Sequence, residues 1–386
     1  MFKKIFSYLL VFILVVSSFT ACNGGSTNGK NVIKIGVFEP LTGENGGGGF
    51  QEVLGIRYAN ELYKTINING TTYTIELDEV DNKSDKTEAV SAANKLISDG
   101  VVAVVGSYGS GVSIAAGEYF EAADIPAVGA SCTNPQVTDG NDYYFRTCFL
   151  DPFQGTVMAS YARNHGYSRV AVITQLGDDY SEGLGSFFIR ACESMGIQVV
   201  DTEKFQTNEQ DFRSILSNIK SADPQFVFAP SSIVSAPLIL EQARELGMTC
   251  QFGGGDTWEN GTIIDNAHGA AEGMVLTTFY DDKSQATEEG EKFLNGFKSY
   301  LVKNNQKEVI PAVSALGYDA YLAIYKAIEE AQSIDGLAIR DALSKLVFTG
   351  VTGEIKFDKN GDADKNSAYV KEVENGQFVF KEIVTI

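Results

Sequence analysis

Histidine is nearly absent from this chain of 386 residues, which has only His165 and His268, 103 positions apart. Zinc sites and Ser-His-Asp triads are commonly built around imidazole groups. The five cysteines include no CxxC pair, and they stand at Cys22, Cys132, Cys148, Cys192 and Cys250. A structural zinc site and a histidine-dependent triad are therefore hard to build, and we expect no metal site.

Nucleotide and hydrolase motifs are also missing. The chain has no GxxxxGK[ST] segment, and its glycine run at 46–49 does not complete a GxGxxG motif. The stretch "GSYGSG" at 106–111 contains no GxSxG sequence. We therefore expect a flexible loop at the glycine run and solvated strand-end acids at Asp78 and Asp81. We also expect a protein that is not an enzyme and needs no cofactor.

The first 21 residues resemble a bacterial lipoprotein signal. "MFKK" is positively charged, "IFSYLLVFILVV" is a short apolar core, and "SSFTAC" ends in small residues and Cys22. The resemblance implies cleavage before Cys22, lipid on its thiol and a flexible tether over 22–31. Phe19 stands where leucine is usual, and the alternatives are an ordinary cleaved signal or a membrane anchor helix.

Basic residues are few. Removing residues 1–21 removes Lys3 and Lys4 and no acid, which leaves 28 basic against 50 acidic residues and a formal charge of −22. Such a charge argues against nucleic acid as a partner and favours solubility in an exported protein. An exported setting also permits disulfides. Cys132 and Cys148 are the candidate pair, and buried free thiols are the alternative.

Strand and helix patterns alternate along the chain. From the apolar segment 31–38, helical spacing follows at 50–66, 86–100 and 111–123, with strand patterns at 72–80, 101–105 and 125–130. The alternation restarts with a strand at 169–174 and a helix at 180–196, and the two α/β units meet near Asp151. Two long helices at about 287–303 and 312–331 precede a hairpin-like end. The pattern predicts two doubly wound parallel sheets in tandem.

Polar residues follow the strands of both predicted sheets. Ser110 comes after the strand 101–105 at the start of a helix, and Thr133 follows the next strand. Unpaired N–H groups and hydroxyls at such a place can hold a carboxylate, although Ser110 can also serve as a helix N-cap. Asp256, in "GGGDTW", can pair with an ammonium group or act as a turn aspartate. Together they describe a zwitterion held across a cleft.

The chain resembles the substrate-binding proteins of branched-chain amino acid ABC transporters, the Leu/Ile/Val-binding group with the type I, Venus-flytrap fold. The similarity covers nearly all of residues 31–386. It is carried by the order of "IKIGVFEPLTGENGGGGFQEVLGIRYANE", "VVAVVGSYGSGVSIAAGEYFEAADIPAVGASCTNPQVT", "YFRTCFLDPFQG", "DDYSEGLG" and "ALGYDAYLAIYKAI". It implies an N-terminal lobe at 32–150 and 280–353, a C-terminal lobe at 151–279 and 354–386, and a hinge of three chain crossings.

The resemblance also implies ligand contacts. The ligand carboxylate would meet Ser110, the backbone at Ser131 and the Thr133 hydroxyl, while Asp256 would bind the amino group and Tyr180 would close over the ligand. Two strand-end residues, Tyr108 and Ser232, complete the candidate set. Ser232 replaces a family tyrosine, and the glycines around Gly48 replace an aromatic, which suggests a larger or more polar ligand than leucine.

The resulting hypothesis is a monomeric, lipid-anchored protein outside the cell membrane that captures an amino acid and delivers it to ABC permease subunits. One alternative is a sensor of the same fold that presents its ligand to a receptor. Another is a binder of a different small carboxylate or amide.

Overall fold

A computed structural model describes residues 31–283, 287–307 and 310–385. The predicted signal peptide and the predicted lipidation site, Cys22, lie outside these residues. Over the described ranges, no helix is both long enough and apolar enough to cross a membrane.

The first part of the chain forms a six-stranded sheet in the order β2-β3-β1-β4-β5-β6. All its strands are parallel except β2, which pairs antiparallel with β3. The elements are β1 (Val32–Glu39), α1 (Gly46–Leu62), β2 (Thr65–Ile68), β3 (Thr71–Asp81), α2 (Lys86–Ser98), β4 (Ala103–Val105), α3 (Ser110–Ala122), β5 (Ala127–Gly129) and β6 (Tyr144–Arg146).

Helices cover both faces of this sheet because alternate strand residues point to opposite sides. Val104 and Ala127 belong to an apolar cluster with residues of α2 and α3, whereas their neighbours Val105 and Val128 belong to the cluster that contains α1. Strands buried on both faces explain the continuous apolar runs in the sequence.

The next part of the chain builds the second sheet. Its elements are α4 (Asp151–Asn164), β7 (Arg169–Gln175), α5 (Asp179–Ser194), β8 (Gln198–Phe205), α6 (Arg213–Ser221), β9 (Phe226–Phe228), α7 (Ser235–Glu245), β10 (Gln251–Gly254), α8 (Gly261–Asn266) and β11 (Val275–Thr278). Strands β7 to β11 are parallel, in the spatial order β11-β10-β9-β7-β8.

The last part of the chain returns to both sheets. It contains α9 (Glu288–Lys303), α10 (Ala312–Ala331), α11 (Gly336–Leu343), β12 (Val347–Gly350), β13 (Gly353–Lys356), β14 (Ser367–Glu374) and β15 (Gln377–Thr385). Helices α9 and α10 pack on α1, while β14 and β15 extend the second sheet as antiparallel strands beside β11. We call the first sheet with its helices the N-terminal lobe and the second sheet with α4 to α8 the C-terminal lobe.

The predicted fold is confirmed: two doubly wound lobes are joined by three crossings of the chain. The exact lobe boundaries stay a prediction, since residues from Asn31 onward pack into one compact unit.

One predicted helix is too long. The spacing predicts a helix over 50–66, but α1 ends at Leu62 and Thr65–Ile68 forms the edge strand β2. Asn69 and Gly70 connect β2 to β3, and both have positive φ, 49° and 81°. Asn-Gly between β-branched segments is a strong signal for a two-residue hairpin turn. The turn therefore decides the structure of a segment that helical spacing alone assigned to α1.

Candidate functional site

The candidate site lies where the direction of winding reverses in each sheet. In the first sheet β1 lies between β3 and β4, and in the second β7 lies between β8 and β9. Loops after such neighbouring strands diverge to opposite faces and leave a crevice at their carboxyl ends. The loops after β1 and β4 therefore form one wall of a cleft, and the loops after β7 and β9 form the other.

Hydrogen bonds and ion pairs at the rim close this cleft. Gln175 Nε2 donates to Glu44 Oε2 at 2.7 Å, and Ile233 N donates to Asn45 Oδ1 at 3.3 Å. Lys86 Nζ lies 2.7 Å from Asp179 Oδ2. Each of these pairs joins the N-terminal lobe to the C-terminal lobe. The candidate residues inside the cleft are consequently buried: Tyr108, Ser110, Ser131, Thr133, Tyr180, Ser232 and Asp256.

The glycine run is the first turn of α1, and the expectation of a flexible loop there is wrong. A Cβ atom at Gly48 would lie 2.4 Å from Cζ of Tyr108, and one at Gly49 would lie 2.2 Å from the carbonyl oxygen of Pro40. The run is needed because a ring and a neighbouring loop approach the helix backbone closely. The Tyr108 ring thus fills the space beside Gly48, at the place where the family's aromatic is missing.

Asp81 is likewise more than a solvated acid. Its Oδ1 accepts the N–H groups of Leu41 and Lys83 at 2.9 and 2.8 Å, and its Oδ2 accepts the hydroxyl of Thr42 at 2.6 Å. It therefore orders the loop between β1 and α1 that forms part of the rim.

Ser110 is inside helix α3 and does not cap it. Gly109 is the N-cap residue and makes no side-chain capping bond. Ser110 Oγ instead accepts the backbone N–H of Asn134 at 3.2 Å, so it links α3 to the loop after β5. An accepting hydroxyl still has its own proton to donate. This geometry favours the ligand-binding interpretation over the N-cap interpretation.

Arg146, which the sequence reasoning missed, holds the loop that contains Thr133. Its Nη1 donates to the carbonyl oxygens of Cys132 and Asn134 at 2.7 and 2.6 Å, and its Nε donates to Asp362 at 2.6 Å. Arg146 is fully buried at the end of β6. A guanidinium that fixes carbonyls on both sides of Thr133 restricts which way this loop presents its side chain. An arginine in the apolar segment "YYFRTCF" was the available signal.

Asp256 lies beside Tyr180 and Gln154 at the carboxyl end of β10. The Tyr180 hydroxyl and Gln154 Nε2 donate to Asp256 Oδ1 at 3.0 and 2.9 Å. Burial raises the pKa of Asp256 to about 6, although these two hydrogen bonds oppose the rise. Both of these donors come from other elements, α5 and α4, and not from the turn that Asp256 begins. The turn-aspartate alternative therefore loses support, and an acid placed to receive a cation fits better.

Asp151 is a second acid that the sequence reasoning did not assign to the site. It is the first residue of α4 and is fully buried, and neither of its carboxylate oxygens has a hydrogen-bond partner among the described residues. The Thr133 hydroxyl lies close enough to Asp151 to act as a weak donor that opposes the rise of its pKa, but it makes no hydrogen bond of good geometry with any described residue. Burial, and then the charge of Asp256, raise the pKa of Asp151 well above its ordinary value. Such groups need a donor from elsewhere.

The hydroxyls of Ser131 and Ser232 are already engaged. Ser131 Oγ donates to Glu52 Oε1, which leaves its backbone as the group available to a ligand. Ser232 Oγ donates to Ser235 Oγ at 2.9 Å and accepts Ser235 N–H at 3.2 Å, at the start of α7. The Ser232 hydroxyl therefore stabilises the start of α7.

All four described cysteines are free thiols: Cys132, Cys148, Cys192 and Cys250. The free-thiol alternative therefore holds over the Cys132–Cys148 disulfide. In the part of the chain that the structure describes, no group of three or more His, Cys, Asp or Glu side chains is arranged to hold a metal ion.

Two doubly wound lobes that close over buried polar groups without partners define a protein that encloses a small ligand. The chain belongs to the periplasmic binding protein family, whose model matches residues 32–377.

Three similar proteins are named for amino acids. A leucine-, isoleucine-, valine-, threonine- and alanine-binding protein of Pseudomonas aeruginosa is 30% identical over 336 residues, which are 86% of this chain and 87% of the relative. A leucine-binding protein of Thermotoga maritima is 36% identical with a TM-score of 0.85, covering 92% of this chain and 99% of that one. The branched-chain amino acid transporter substrate-binding protein of Streptococcus pneumoniae, in complex with isoleucine, is 28% identical with a TM-score of 0.83, covering 92% and 100%.

Proposed function

We propose that this protein is an extracytoplasmic lipoprotein that encloses an α-amino acid between its lobes and delivers it to an ABC importer. The observation that carries the proposal is the cluster at Thr133, Asp151 and Asp256. Among the described residues, the Thr133 hydroxyl and both Asp151 carboxylate oxygens have no well-formed hydrogen bond, and the Asp256 carboxylate can accept more hydrogen bonds than it has. An ammonium group supplies three N–H donors to such oxygens.

The carboxylate end of the ligand would face the N-terminus of α3. The first N–H groups of a helix have no intrahelical acceptor, and the helix dipole favours a negative charge at this end. Ser110, in the first turn of α3, and Thr133, in the adjacent loop, both have hydroxyl protons free to donate. Charge-assisted hydrogen bonds of this kind contribute roughly 1.5–3 kcal/mol each.

The side chain of the ligand would lie against Tyr108. Its ring packs over Gly48 and takes the room that a larger ligand would need. We therefore propose small or branched aliphatic amino acids, in agreement with what the relatives are named for.

Thermal unfolding of the purified protein with single amino acids tests the binding function. A ligand present at 100 times its Kd should stabilise the protein by about 2.7 kcal/mol. Leucine, isoleucine, valine, threonine and alanine form the test panel, and 4-methylpentanoate, which is leucine without its amino group, is the matched control. Stabilisation by 4-methylpentanoate equal to that by leucine would remove the amino-acid assignment.

Transport and sensing require a cellular test. Deleting the gene should reduce uptake of the labelled ligand if the protein serves an importer. Unchanged uptake together with altered transcription in response to the ligand would favour the sensor alternative.

A further inference from the structure

Two buried glutamates lie behind the carboxylate end of the proposed site. Glu39 ends β1 and Glu52 lies in α1, and both are fully buried. Glu39 Oε2 accepts Tyr108 N–H at 2.8 Å and the Ser107 hydroxyl at 3.5 Å. Glu52 Oε1 accepts the Ser131 hydroxyl. Each acid therefore holds one of the two loops that approach the ligand.

The remaining oxygens of the two acids have no hydrogen-bond donor in the described part of the chain. Glu39 Oε1 and Glu52 Oε2 are buried and have no donor partner among the described residues, yet the two side chains lie within hydrogen-bonding reach of one another. A carboxylate can only accept, so two carboxylates cannot form this bond. One proton between them provides the missing donor and removes one of two adjacent negative charges.

The surrounding groups offer no compensating cation. Glu39 faces the thiol of Cys132 and the ring of Tyr108, whereas Glu52 faces the Asp256 carboxyl. Within the described ranges, no lysine or arginine forms an ion pair with either glutamate; Arg146 pairs with Asp362 instead. Burial and the neighbouring acids thus disfavour two ionised glutamates, and the donors that oppose this effect, from Tyr108, Ser107 and Ser131, are uncharged.

We propose that Glu39 and Glu52 share a single proton, and that this carboxyl–carboxylate bond positions the loops of Tyr108 and Ser131 around the ligand. Loss of the proton places two negative charges behind the site for the ligand carboxylate. The two glutamates act as positioning residues, since they reach the ligand only through other residues. The part that concerns the ligand rests on the proposed function, whereas the shared proton does not.

The sign of the pH effect follows from the direction of the pKa changes. Burial comes first among the causes that raise the pKa of both acids. The folded protein therefore holds more protons than the unfolded chain at neutral pH, and its stability falls as pH rises through the raised values.

Glu39→Gln tests the shared proton directly, because its amide N–H donates to Glu52 at every pH. Melting temperatures of the ligand-free full chain, purified in detergent, are compared between pH 5 and 9. We expect the wild type to lose melting temperature relative to the variant as pH rises. Parallel curves would overturn the proposal. Glu52→Gln supplies the same donor from the other side and gives the same test if the first variant does not fold.

Asp319→Asn is the matched control. Asp319 is also fully buried, but its oxygens accept Val351 N–H and Thr352 N–H at 2.7 and 2.8 Å. An asparagine amide there would place its N–H group against a backbone N–H group. Asp319→Asn should therefore have a lower melting temperature than the wild type at neutral pH, whereas Glu39→Gln should not. Equal destabilisation of both variants would refute the shared proton.

Calorimetry with leucine gives the readout that a purely structural role would not change. Between pH 7 and 9 the wild type should lose more affinity for leucine than Glu39→Gln does. Above the pKa of the glutamate pair, this additional loss should be about tenfold per pH unit. The ligand amine titrates identically in both measurements and cancels. Equal pH dependence would overturn the positioning role. If neither protein binds any amino acid of the panel, the proposed function fails and the melting curves still decide the shared proton.

Discussion

Replacing Asp256 with asparagine keeps the shape of the side chain and removes its charge. The asparagine carbonyl can still accept from Tyr180 and Gln154, which bond to Oδ1 in the native protein. A buried ammonium then loses its counter-charge, and the loss should be roughly 2–5 kcal/mol, or about 30- to 4000-fold in Kd.

The same substitution should not weaken the ligand-free fold. Burial raises the pKa of Asp256 from 3.8 to about 6, which corresponds to roughly 3 kcal/mol against its ionised form in the folded state. Stability therefore falls as pH rises from about 4 to 6, and the neutral asparagine is free of this penalty. Melting curves should show the variant at least as stable as the wild type at pH 7.

Isothermal titration with an α-amino acid and with its des-amino analogue completes the assay. The ammonium ligand needs ionised Asp256, so wild-type affinity should fall as pH drops below about 6, and this decline should be smaller in the variant. The des-amino analogue should bind both proteins alike. An asparagine variant that binds the amino acid with native affinity would refute the role of Asp256.

The remaining predictions concern packing, loop support and anchoring. Gly48→Ala should push the Tyr108 ring into the cleft and weaken binding by about tenfold or more in calorimetry, with roughly 1–3 kcal/mol lost in stability. Gly47→Ala, whose nearest contact would be 3.4 Å away, should behave as the wild type. Arg146→Met leaves a buried carboxylate and carbonyls without their donor and should lower unfolding free energy by about 3–5 kcal/mol in denaturant titrations; a smaller loss than 1 kcal/mol would contradict its role. Cys22→Ala should move the protein from the membrane fraction to the soluble fraction, and unchanged fractionation would exclude lipid anchoring.

The rim contacts were beyond prediction because they join residues from distant parts of the chain. Glu44 and Gln175 are 131 positions apart, and each looks like an ordinary loop residue in sequence. Their pairing depends on how the two lobes close. The same holds for the free cysteines, since adjacency of thiols in space decides whether a disulfide can form.

The sequence alone determined the alternation of strands and helices, because doubly buried strands need continuous apolar runs and amphipathic helices need 3.6-residue spacing. It also determined which strand ends carry hydroxyls and acids. Only the tertiary structure decided which of these groups remain available to a ligand: the Ser232 hydroxyl is bound to its own helix, whereas the Thr133 hydroxyl and the Asp151 carboxylate make no well-formed side-chain hydrogen bond among the described residues. It alone brought Glu39 to Glu52 and Tyr108 to Gly48, because burial and hydrogen bonding between distant residues depend on the packing of whole elements.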